Sequence, residues 1–225
     1  MNSPAISNHD NAINAITTRR VSWGDDPTVL ADIYQEECNI AVWKRHLPSE
    51  LPQVVSSFLT SDRRFQASMT LSPVDAMASI HKALGGSDLV TPLSESIAEL
   101  VDMFCYLFDV KRAGLRLTAL NRAMCPKFHV DRVSCRLVTT FQGSATEWLP
   151  HEVVDRSKLG RGSEGKPDEE SGLFSNLGDI QQLNAGDVAL LKGELWDNNE
   201  GAGLVHRSPA LRAGEQRLLL TLDIT

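Results

Sequence analysis

The segment Phe128-His129-Val130-Asp131 sets an imidazole and a carboxylate two residues apart. On an extended strand, residues i and i+2 point to one face, so His129 and Asp131 would project side by side. That pair supplies two of the three ligands a divalent metal ion needs. His206 follows 77 residues after His129, in Leu204-Val205-His206-Arg207, and Arg217 lies 11 residues beyond His206. Cys125 and Cys135 flank the pair, four residues before His129 and four after Asp131. A thiolate at Cys125 with His129 would suit zinc better than iron(II), and packed thiols are the plainer reading. Two other motifs fail their context. Gly160–Gly165 spells GxGxxG but neither follows a strand nor opens an apolar helix, and His151-Glu152 leads to Asp155 where HExxH needs a second histidine.

Taken together, the His-Val-Asp pair, the Ala185-Gly-Asp turn running into an apolar strand, His206 and Arg217 resemble the signature of iron(II)- and 2-oxoglutarate-dependent dioxygenases. The resemblance covers about the C-terminal half, Leu115 to Thr225. It implies a double-stranded β-helix, with His129, Asp131 and His206 as a facial triad and Arg217 on the distal carboxylate of 2-oxoglutarate. Separately, Cys125 to Pro150 resembles the central block of a bacterial family of unknown function, which speaks for kinship and not for a substrate.

Elementary chemistry agrees with the implied roles. Two histidines and a carboxylate occupy one face of an iron ion and leave positions open for other ligands. A guanidinium grips a buried carboxylate through two parallel hydrogen bonds. Arg116 and Asn121, on the strand before the pair, are expected as secondary contacts to the cosubstrate. The only tyrosines are Tyr34 and Tyr106, so the polar partners would be Thr118, Asn121, Thr139 or Thr140. Arg212 competes with Arg217 for the carboxylate.

These side chains need a scaffold, and the hydrophobic pattern predicts an α+β one. Residues 1–26 read as a polar, flexible arm, and 27–225 as a single domain. Within it, 27–114 is helix-rich, with helical spacing over Pro27–Cys38 and helices from Ser49 to about Leu59, from Ser72-Pro73 to Leu84 and from about Pro92 to Phe108. Short strands are expected at Asn39–Trp43 and Phe65–Leu71. After Gly114 the texture changes to strands between turns: Leu115–Asn121, Lys127–Asp131, Arg136–Phe141, Thr146–Leu149, Asp187–Leu191, Leu204–Arg207 and Arg217–Ile224. Many short strands of this kind predict a jelly roll, with the N-terminal helices packed on one sheet. The stretch 151–183 is too long for a plain connection and reads as either a lid or a disordered insert.

Composition narrows the partners. The 225 residues are 42% hydrophobic and 23% charged, the make-up of an ordinary globular chain. A net charge of −7 argues against non-specific nucleic-acid binding and against a polybasic membrane anchor. From Glu147 to Glu200 there are 12 acids against 5 bases, so the whole excess sits in that one segment. An acidic lid there would favour a cationic or neutral substrate, and a solvated loop is the plainer alternative. Four cysteines without CxxC spacing, no long apolar run and no apolar leader predict a cytoplasmic protein. The leading expectation is a mononuclear non-haem iron, 2-oxoglutarate-dependent oxygenase with a small-molecule cosubstrate and an open primary substrate. A metal-binding jelly roll without oxygenase activity, zinc being the alternative metal, comes second, and a scaffold protein with a coincidental triad third.

Overall fold

Three helices and ten strands follow one another in a computed structural model that describes residues 18–225. Of the arm expected over 1–26, residues 1–17 lie outside the described residues, and Arg20–Gly24 is a strand, β1. The helical spacing after Pro27 yields a 3-10 helix, Pro27–Tyr34, which ends well before Cys38 because that residue opens strand β2 (Cys38–Trp43). Helix α1 is Leu51–Ser61 and strand β3 is Gln66–Leu71. Helix α2, Pro73–Ala83, starts as its sequence dictates: the Ser72 side chain accepts from the Asp75 amide, and proline fills the first turn. Helix α3, Thr91–Leu107, buries Leu93, Ile97, Leu100, Val101 and Phe104 at helical spacing.

The remaining strands are β4 (Ala113–Leu120), β5 (Cys135–Gln142), β6 (Glu147–Leu149), β7 (Gln181–Gln182), β8 (Val188–Lys192), β9 (Val205–Arg207) and β10 (Arg217–Ile224). Seven form one sheet in the order β1-β2-β8-β5-β10-β4-β3, and β7-β6-β9 form a second. Every pairing is antiparallel except β1 with β2. The N-terminal half therefore contributes three strands to the large sheet as well as helices.

Strand parity sorts the side chains. Leu115, Leu117, Leu137, Leu218, Leu220 and Leu222 join residues of all three helices in one apolar cluster. The opposite face of the large sheet offers Ile40, Val42, Val138, Ala189, Leu191 and Leu219, which pack with Trp148 of β6 and with Leu183 and Leu204. The middle of the large sheet is thus buried on both sides, and Arg217 shares parity with Leu219 on the side away from the helices.

Residues 151–183 are neither structureless nor a free flap. They run through five short 3-10 turns and bury Ser163, Asp168, Ser171, Leu173 and Phe174. Leu173 and Phe174 pack with Phe128, Leu149 and Val205 in a third cluster. Among the described residues, no helix is long and apolar enough to cross a membrane.

Candidate metal centre

The expected strand Lys127–Asp131 shrinks to a single bridge between His129 and His206, because the segment Cys125–Lys127 bends around Pro126 instead of joining a ladder. Each histidine's backbone N–H donates to the other's carbonyl oxygen at 3.0 Å. That bridge sets the two rings side by side, their centroids 4.6 Å apart. Asp131 turns into the same space: its Oδ2 lies 3.3 Å from His206 Nε2 and its Oδ1 lies 3.8 Å from His129 Nε2. One ligand atom from each of the three residues lies within 4.8 Å of the others, so the group could hold a metal ion. An ion with ligands at roughly 2.1 Å needs adjacent donors about 3 Å apart, and the two Asp131 contacts, at 3.3 and 3.8 Å, come within about 1 Å of that.

Second contacts fix each of the three side chains. His129 Nδ1 is 2.9 Å from the Lys127 carbonyl oxygen and His206 Nδ1 is 3.2 Å from that of Leu204, which leaves both Nε2 atoms to face Asp131. Arg136 donates to Asp131 Oδ2 at 2.7 Å and to Asp223 Oδ1 at 2.6 Å. The Glu194 amide donates to the Asp131 carbonyl oxygen at 3.0 Å, and the chain passes so near here that a Cβ on Gly193 would meet Val133 O at 2.1 Å.

Charge follows from these contacts. Burial alone would raise the Asp131 pKa, but the His206 hydrogen bond, Arg136 and His129 outweigh it and hold the carboxyl well below the usual range. Burial, helped by the neighbouring His206, pushes the His129 pKa down and favours the neutral imidazole that has a lone pair to give.

A small cavity of about 80 Å³ joins this group to Arg217; His129, Arg136, Thr146, His206 and Ser208 line it too. The Arg217 side chain is 1% exposed. Its guanidinium donates to Thr140 Oγ1 at 3.2 and 3.1 Å, to Thr146 Oγ1 at 2.9 Å and to Ser208 Oγ at 2.9 Å. Among the described residues, none of these bonds goes to a carboxylate. Burial lowers its pKa to about 10, partly offset by Glu147 and Glu215, so it stays cationic at neutral pH. A buried cation with only hydroxyl partners leaves a place for an anion.

Not every expected residue arrives here. Arg116 points from the strand face expected of it, yet half-exposed, and its guanidinium is drawn to Asp223 at 2.7 Å. Asn121 is exposed in the bend after β4. Neither lines the cavity. Of the four expected polar partners, Thr140 reaches Arg217, while Thr139 points to the opposite face of β5 and its buried hydroxyl has no partner. Arg212 is 92% exposed and cannot serve a buried carboxylate. Cys125 is exposed at the cavity rim and stands outside the three-residue group, and Cys135 is fully buried, its thiol pKa pushed up by burial. Arg136, Thr146 and Ser208 carry no local sequence signal; they meet the site through sheet pairing.

Residues 24–223 match the family described as "Protein of unknown function (DUF1826)", and the chain belongs to that family. Solved structures resemble it at low identity. A dioxygenase for auxin oxidation in rice is 12% identical, with 91% of this chain and 82% of that chain covered and a TM-score of 0.49. HygX from Streptomyces hygroscopicus, solved with iron bound, is 14% identical over 83% of this chain and 82% of its own, with a TM-score of 0.45. A prolyl-4-hydroxylase from Pseudomonas putida is 11% identical over 87% of this chain and 96% of its own, with a TM-score of 0.43. A comparison with curated proteins found no match.

Proposed function

We propose that the protein is a mononuclear non-haem iron, 2-oxoglutarate-dependent oxygenase built on a double-stranded β-helix. In this reading the helices pack on the large sheet, and β1, β2 and β3 widen it. The observation that carries the proposal is the shared cavity: a His-Asp-His group at one side and a buried guanidinium without a carboxylate partner at the other. A metal-binding jelly roll without oxygenase activity would account for the first feature and leave the second without a purpose.

Iron(II) bound with 2-oxoglutarate would supply dioxygen activation, with carbon dioxide and succinate as the cosubstrate's products. The chain's own contribution is binding and order. His129 offers a nitrogen donor that burial keeps neutral, His206 turns its Nε2 to the same carboxylate, and Asp131 is held ionised by its His206 hydrogen bond and by Arg136. Arg217 would grip the cosubstrate's distal carboxylate, and Thr140, Thr146 and Ser208 hold the guanidinium plane still so that little freedom is lost on binding.

Titration of 2-oxoglutarate into Mn(II)-loaded protein, followed by succinate release from the Fe(II) form in air, tests the proposal. Saturable binding and oxygen-dependent succinate are expected. A metal-loaded chain that ignores 2-oxoglutarate would overturn it.

A further inference from the structure

Asp168 belongs to the acidic insert, far in sequence from either histidine, yet it touches the neighbour of each. Its Oδ2 accepts from the Phe128 backbone N–H at 2.8 Å and from Arg207 Nη1 at 3.3 Å. Phe128 immediately precedes His129, and Arg207 immediately follows His206. The Asp168 side chain is 5% exposed, so one buried oxygen is clamped between the two short segments that present the imidazoles.

The clamp is reinforced around that oxygen. Arg207 also donates to Glu147 Oε2 at 2.7 Å and to Glu169 Oε1 at 2.9 Å, and its guanidinium lies 4.3 Å over the Phe128 ring. Phe128 in turn meets Phe174 of the insert edge to face, 5.8 Å between centroids. Lys127 Nζ reaches the Lys166 carbonyl oxygen at 2.9 Å. Three of the segment's acids are thus committed to one arginine and one backbone amide.

The bridge itself is weak. Two backbone hydrogen bonds join His129, which lies outside any strand, to His206 of β9, and such bonds contribute too little net stability to hold the two rings at a fixed spacing on their own. We infer that Asp168 is a positioning residue for the metal centre: through Phe128 and Arg207 it sets the separation of His129 and His206, and the insert is a strap over the site. The inference rests on the metal reading above.

Cobalt(II) is the probe, because both its affinity and its visible ligand-field spectrum can be read. Asp168→Ala is expected to bind Co(II) on the order of 10–100-fold more weakly than the parent chain and to change the spectrum, measured below its own melting temperature. Asp168→Asn keeps an acceptor for the Phe128 amide but loses the charge facing Arg207, so its affinity should be severalfold below the parent. Glu170→Ala, an exposed insert residue, should alter neither readout. If Asp168→Ala does not fold, Asp168→Asn decides. Parent-like affinity and spectrum in the folded Asp168 variants would sink the inference alone. A parent chain that takes up no Co(II), or takes it up equally after His129→Ala, would sink the metal reading and the inference with it.

Discussion

His129 and His206 are bonded to each other backbone to backbone, N–H to carbonyl oxygen in both directions at 3.0 Å. Two residues 77 positions apart are therefore brought into register by the backbone. The His129, Asp131 and His206 side chains should then be separable from the fold.

Replacing His129, Asp131 or His206 singly by alanine should weaken Mn(II) binding about 100-fold or more, since a three-ligand site loses a third of its donors. Calorimetric titration measures this. The far-UV circular dichroism should stay that of the parent, and a variant that keeps parent affinity removes that residue from the ligand set.

Arg217→Lys should keep the buried charge yet lose the fork that a carboxylate fits, and 2-oxoglutarate affinity should fall about tenfold to 100-fold. Mn(II) affinity should hold. Normal cosubstrate binding in Arg217→Ala would show that the anion goes elsewhere.

Gly143 has φ +90°, and a Cβ there would stand 2.6 Å from Gln216 O and 3.0 Å from the Arg217 Cα. Gly143→Ala strains the turn and pushes on the strand that carries the guanidinium. The expected loss is roughly 1–3 kcal/mol, seen as a melting temperature several degrees lower, with weaker 2-oxoglutarate binding. Unchanged melting would mean the turn relaxes freely.

Glu215 accepts from the Ser144 amide and hydroxyl at 2.7 and 2.6 Å and from the Arg212 amide at 2.9 Å. The Ser144 hydroxyl and the Arg212 amide lower its pKa. Its folded pKa thus lies below its unfolded one, near 4.3, so its stabilisation is present above that value and is lost as pH falls through the folded pKa. Glu215→Gln should cost about 1 kcal/mol at pH 7, discounted for solvent screening. Thermal melts of the two chains should converge below about pH 4, and a gap that widens in acid would refute the assignment.

Much of the site was legible because its signals are local. Ser72-Pro73 marks a helix start, and β10 spans Arg217–Ile224 with the bounds its alternation predicts. His129, Asp131, His206 and Arg217 stand out in the sequence by type and spacing, and the fold gathers the first three and places Arg217 on a cavity shared with both histidines. What escaped was non-local. β1 is five residues with one buried side chain, and its partner β2 lies beyond a 3-10 helix. Thr146 and Ser208 reach Arg217 across 71 and 9 positions. Arg116 pairs with Asp223 outside the cavity, because parity fixes the face of a sheet and not which ion pair a long side chain finds. The acidic excess looked like solvated charge because a buried carboxylate such as Asp168 has the same letter as an exposed one.

β10 is the last of the ten strands in chain order, yet it lies between β5 and β4 in the middle of the large sheet. During synthesis, β4 and β5 must wait with facing edges unpaired, the arrangement that invites pairing with other chains. A nascent polypeptide halted before Arg217 would present the His129-Asp131-His206 group without the hydroxyl-bound cation beside it. Insertion of that strand seals the sheet and delivers the guanidinium to the cavity in the same motion.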